Sequence, residues 1–150
     1  MFGINIYEFV VIIIVIILVF KLHSYYVMYK NEQNEIIQRV KKDLNIIYLS
    51  YYQEKGLSPP ILLDDLIIYE GDQSYTFNKK KIYLCLNDGE NSYDYDMVMF
   101  VAIHELAHVI CKDIGHTDEF WRINDELLEI AKSKGVYRGS KITRGYCPLY

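Results

Sequence analysis

The distribution of apolar and polar positions divides the chain into segments of different character. Phe9 through Phe20 is a run of twelve residues without one polar side chain. Extended to Ile4 and Val27, it is interrupted only by Asn5, Glu8, Lys21, His23 and Ser24, all toward its ends, and is long enough to cross a bilayer. From Asn31 to about Lys55 the pattern becomes helical and amphipathic. Ile37, Val40, Leu44, Ile47 and Tyr51 form one apolar stripe, as expected for a helix packed on a core. Gly56 and Ser58-Pro59-Pro60 end it, because proline lacks the N–H and biases its predecessor away from the α region. A strand is expected near Leu66–Tyr69, then a turn at Glu70–Gln73. Ser74–Phe77 and Lys80–Leu86 read as a hairpin around Asn78-Lys79.

Two further helices follow. The first is expected from about Asp94 to Lys112, capped by Ser92 or Asp94. It is apolar on nearly every face and therefore buried all round. The second is expected from Thr117, as N-cap, to about Ser133. Phe120, Trp121, Ile123, Leu127, Leu128, Ile130 and Ala131 fill one arc of it, and Asp125, Glu126 and Glu129 the opposite one. Asn124 falls within the apolar arc, which predicts a specific hydrogen-bond partner. The expected fold class is α+β: helices on a short, mainly antiparallel sheet, preceded by one transmembrane helix.

Length and composition refine this picture. The 150 residues leave room for one domain with a modest core, so we expect an anchor with its juxtamembrane segment over 1–29 and a folded domain over 30–150. The amino-terminal run has no basic start and no small-x-small cleavage site, which points to an uncleaved anchor rather than a signal peptide. Tyr7, Tyr25, Tyr26 and Tyr29 flank it at interfacial positions. Lys21, Lys30, Arg39, Lys41 and Lys42 follow the apolar run and none precedes it, so the positive-inside rule places the domain in the cytoplasm. Cys85, Cys111 and Cys147 form no C-x-x-C pair and leave an odd one out, which suits a reducing compartment. The net charge of −4 argues against broad polyanion binding, and nucleic acid is not an expected partner. The tail from Lys132 to Arg144 carries five basic residues and no acidic one. It reads as a solvated face, or as one that meets anionic headgroups.

The chemistry is concentrated at His104-Glu105-Leu106-Ala107-His108, with Gly115-His116 close behind. Histidines four apart lie one turn apart on the same helix face and can grip one zinc ion. Glu105 then stands beside the metal-activated water as general base. Zinc needs a third protein ligand. Position 114, six residues after His108, is Ile, and Glu126 and Glu129 face away from the core, which leaves His116. Cys111, on the same helix face as His104, reads as core or as a further ligand. Two core histidines bonded to carbonyls, or zinc without chemistry, are the plainer alternatives.

His104-Glu105-Leu106-Ala107-His108, then Gly115-His116 and Phe120-Trp121, resemble the WLM and SprT-like zinc metallopeptidases and their YgjP-type relatives, over about Lys80 to Ala131. The resemblance implies a zincin-like domain with Zn2+ on His104, His108 and His116, and Glu105 as catalytic base. It also implies that the strand Ile82–Leu86 borders the cleft and pairs with a protein or peptide substrate. The expected activity is that of a membrane-anchored zinc peptidase. The alternatives are an anchored, non-catalytic binding module on a degenerate peptidase fold, and a hydrolase of non-peptide amides.

Overall fold

A computed structural model describes residues 5–60, 66–139 and 146, apart from the side chains at 31 and 33. The sequence readings that fall on Ile4, on 61–65, and on Lys141, Arg144 and Cys147 lie outside the described residues. The chain divides into two compact units, Met1–Asn34 and Glu35–Tyr150.

The first unit is a single helix, α1 (Ile6–Gln33). Its start explains the one acid in the apolar run. The Asn5 backbone N–H donates to Glu8 Oε2 and the Glu8 N–H donates to Asn5 Oδ1, both at 3.0 Å. This reciprocal box satisfies two of the N–H groups that a helix start leaves open. Ile6–Lys30 is long and apolar enough to span a membrane, and none of its side chains is buried.

The second unit is α+β. Among the described residues it contains helices α2 (Glu35–Glu54), α3 (Tyr95–Ile110) and α4 (Asp118–Ser133), and strands β1 (Ile67–Glu70), β2 (Tyr75–Phe77) and β3 (Lys81–Leu84). The stripe expected on α2 is buried: Ile37, Val40, Leu44 and Ile47 are at most 1 % exposed and Tyr51 is 5 % exposed. It faces α3, α4 and β1. α3 lies at the centre and touches α2, α4, β2 and β3. Its apolar circumference follows from that position, since every face has a neighbour.

The sheet departs from the expected antiparallel arrangement. Its order is β1-β3-β2, with β1 parallel to β3 and β2 antiparallel to it. The segment from β1 to β2 crosses the end of β3 and is tied down there. The Gly71 N–H donates to Leu84 O at 2.9 Å, and the Cys85 N–H donates to Ser74 Oγ at 3.0 Å. A Cβ on Gly71 would lie 3.2 Å from Gln73 O and 3.3 Å from Tyr83 Cβ, so a larger residue would press on the crossing here. Between β2 and β3, Asn78 and Lys79 both adopt positive φ, 51° and 54°, as a primed hairpin turn requires. The inner face carries Ile68, Ile82 and Leu84. Tyr69, Tyr83 and Tyr75 stack across the other face, with ring centroids 5.2 and 4.6 Å apart.

Candidate metal centre

α3 begins at Asp94, whose carboxylate accepts from the Asp96 N–H at 3.1 Å. From there the helix carries His104, Glu105 and His108 into the core side by side. After it ends, the loop turns at Gly115 (φ 84°) and α4 starts on Thr117, whose hydroxyl accepts from the Phe120 N–H at 3.3 Å. That short connection folds His116 back over α3.

The outcome is a triangle of imidazoles. His116 Nε2 lies 3.0 Å from His104 Nε2 and 3.2 Å from His108 Nε2. One donor atom from each of the three falls within 4.8 Å of the others. Two nitrogens bound to one tetrahedral ion at the usual metal–nitrogen length would stand roughly 3.3 Å apart, so the spacing matches a shared ion. Burial, and secondly the neighbouring His108 and His116, push His104 down to about 4. His108 is likewise pushed down to about 4, by burial first, then by His116 and Lys79. Both are therefore neutral at pH 7, the state in which imidazole lends a lone pair to a metal. The three histidines lie close enough to bind one metal ion.

Phe120 and Trp121 complete the surroundings. The Phe120 ring is fully buried, with its centroid 4.9, 4.3 and 4.7 Å from those of His104, His108 and His116. Trp121, expected in the core, is instead 47 % exposed and stacks on His116 at 5.5 Å. Only the fold of the loop brings His116 beneath it.

Glu105 is almost wholly buried, yet it borders an open cleft of about 490 Å³ shared with Tyr75, Thr76, Lys79, His108 and Ile114. Thr76 Oγ1 is 2.8 Å from Glu105 Oε2 and 2.9 Å from Glu105 O. Lys79 reaches the carbonyl oxygens of Cys111 and Asp113 beyond the end of α3, where a cation offsets the negative end of the helix. Neither Thr76 nor Lys79 was legible as a site residue, because strand and turn residues acquire such partners only through tertiary packing. The strand expected at the cleft, Ile82–Leu86, does not border it. β3 is central and paired on both sides, and the edge strand β2 takes that place.

Several other sequence expectations are resolved here. Glu126 pairs with Lys55 at 2.9 Å and with Arg122, and Glu129 is exposed, so neither joins the histidines. Cys111 is a buried, free thiol in the core cluster and is not in the metal-competent group. Cys85 is disulfide-bonded, against the expectation of reduced thiols. Asn124 is buried; its Nδ2 donates to Asp125 Oδ1 at 3.5 Å, while its Oδ1 has no hydrogen-bond partner among the described residues. Tyr146 donates to Cys85 O at 2.6 Å, with burial pushing its phenol up to about 12.

No family model matches the chain, and no solved structure matches it. It is similar to viral proteins described as uncharacterized. The chain is 47 % identical over 91 residues to protein 042R of Invertebrate iridescent virus 3, covering 59 % of this chain and 57 % of that protein. To protein 136R of Invertebrate iridescent virus 6 it is 42 % identical over 92 residues, 58 % of this chain and 52 % of that one. Protein R325 of Acanthamoeba polyphaga mimivirus is 38 % identical over 68 residues, 43 % of this chain and 34 % of its own length. The chain thus spans about half the length of the two iridescent-virus relatives, and less of the third.

Proposed function

We propose that the protein is a membrane-anchored, zinc-dependent peptidase with a zincin-like catalytic domain of the WLM and SprT-like kind. The observation that carries this reading is the convergence of His104, His108 and His116 beside a buried glutamate that borders an open cleft. The donor set fits zinc, since three imidazoles leave a fourth tetrahedral position open. Bound there, the ion would supply Lewis-acid polarisation of the scissile carbonyl and a water acidified to about neutral pH. Glu105 accepts the proton of the attacking water on a carboxylate oxygen and passes it to the leaving amine nitrogen. Burial of Glu105 and the neighbouring aromatic rings of Phe120 and Trp121 lower the local dielectric, which strengthens each of these interactions.

Two variants test this reading. Glu105→Gln should retain about one zinc per chain by elemental analysis and lose peptide hydrolysis by a factor on the order of 10² or more. Retained turnover would remove Glu105 from the mechanism. His116→Ala should lower zinc occupancy, because two imidazoles remain where three are needed. A wild-type protein that holds zinc and cleaves nothing in a wide peptide screen would favour the non-catalytic binding module.

α1 serves as the anchor in this reading, and the basic residues after it support a cytoplasmic domain by the positive-inside rule. Protease added outside sealed vesicles distinguishes this orientation from its opposite directly.

A further inference from the structure

Thr76 occupies an unexpected place in the sheet. In register, Ile68, Ile82 and Thr76 form one row across the three strands, on the face turned to the helices. Ile68 and Ile82 are 4 % and 0 % exposed, whereas the neighbours of Thr76 along β2, Tyr75 and Phe77, are 45 % and 51 % exposed. Thr76 is therefore the one residue of β2 directed inward, into a row that is otherwise aliphatic. A hydroxyl placed there costs stability unless it is bonded, and valine would fill the same space without that cost. The bond it makes is specific. Oγ1 lies 2.8 Å from Oε2 and 2.9 Å from the backbone O of the same residue, Glu105.

We propose that Thr76 is the positioning residue for Glu105, fixing its carboxylate at the floor of the cleft by bridging it to its own backbone. This inference rests on the peptidase reading of the site. A glutamate has three side-chain torsions to order, and a clamp between its carboxylate and its carbonyl restricts all three at once. The hydroxyl carries a single proton, which it gives to either acceptor while staying within reach of both. Because β2 is the edge strand and Tyr75 lines the same cleft, substrate contacts on β2 would bear directly on the clamp. A base held this way meets the attacking water in one orientation, and a displacement of about 1 Å can cost on the order of 10² in rate.

The experiment compares Thr76→Val, Thr76→Ser and Glu105→Gln with wild type, each as the full chain in detergent micelles. Three readouts are taken: zinc content, turnover of fluorescein-labelled casein, and the visible absorption of the cobalt(II)-substituted protein. The expected result for Thr76→Val is unchanged zinc, unchanged KM, and kcat lower by roughly ten- to a hundredfold. Its cobalt spectrum should change in the same way as that of Glu105→Gln, and Thr76→Ser should restore both turnover and spectrum. Wild-type kcat and spectrum in Thr76→Val would overturn the proposal. So would a parallel loss of zinc and activity, which would mark a merely structural residue. If the wild type binds cobalt but cleaves no casein, the peptidase reading fails and the spectra alone decide. Thr76→Val resembling Glu105→Gln then supports the clamp, and Thr76→Val resembling wild type overturns it. A wild type that binds no metal overturns both.

Discussion

At the scale of single residues, His104 and His108 carry an acid sensitivity that follows from their burial. His104 and His108 sit at about 4 in the fold and return to about 6.5 when the chain unfolds. Between those values the unfolded chain binds more protons than the folded one, so stability falls as pH drops through this window. We expect thermal unfolding of the metal-free protein to move to lower temperature between pH 7 and pH 5, and calorimetry in the presence of a chelator would measure the shift. A Tm that rises on acidification would show the histidines to be paired in some other way. Metal occupancy of the folded protein should fall only as pH approaches about 4, where protons begin to compete for the His104 and His108 nitrogens.

At the scale of elements, α3 is the member on which the others depend. Leu106 lies between the two helical histidines and is fully buried. Leu106→Ala should cost about 2–5 kcal/mol, a range that depends on how far the surroundings collapse. Chemical denaturation would read it as a lower midpoint. The helix starts are separable from the core. Asp94→Ala and Thr117→Ala each remove a side-chain acceptor at a helix N-cap and should cost about 1 kcal/mol. Their consequences differ, since Thr117 follows His116 directly. Its loss should weaken zinc binding as well as stability, while Asp94→Ala should leave zinc binding unchanged. Equal effects of the two on metal affinity would contradict this link between cap and ligand. The α2–α3 contact has its own polar tie. Tyr95 donates to Asp43 Oδ2 at 2.7 Å, and the Arg39 guanidinium lies 3.8 Å from the Tyr95 ring centroid. Burial first, then Asp43, raises the Tyr95 phenol and keeps its proton in that bond.

At the scale of the whole molecule, the two units are built for different surroundings. The folded unit buries its apolar stripes against one another, whereas α1 leaves Val10, Ile13, Ile16 and Val19 at 40–59 % exposure with no charged side chain among them. Such a surface is costly in water and at home in lipid. We expect the full chain to stay with membranes through an alkaline carbonate wash. Release into the supernatant would show that α1 does not span. The organisation visible in the sequence is that of α1, the α2 stripe and the buried α3, because each is written in local periodicity. Legible too were Thr117 as a cap, Asp94 as one of two candidate caps with Ser92, and the third histidine, reached by setting aside Ile114, Glu126 and Glu129.

The sequence by itself determined two of the side chains that could hold a metal, since His104 and His108 share a helix face through the 3.6-residue repeat alone. Local periodicity likewise fixed which helices bury a stripe. Tertiary structure decided the rest, for a physical reason common to all of it: strand order and loop path depend on partners distant along the chain. Packing placed β3 at the centre of the sheet and β2 at its edge, laid Trp121 over His116, and set the hydroxyl of Thr76 against Glu105, 29 positions away in sequence. Strand alternation could predict that Thr76 points to one face, but only the docking of the hairpin on α3 decided what it meets there.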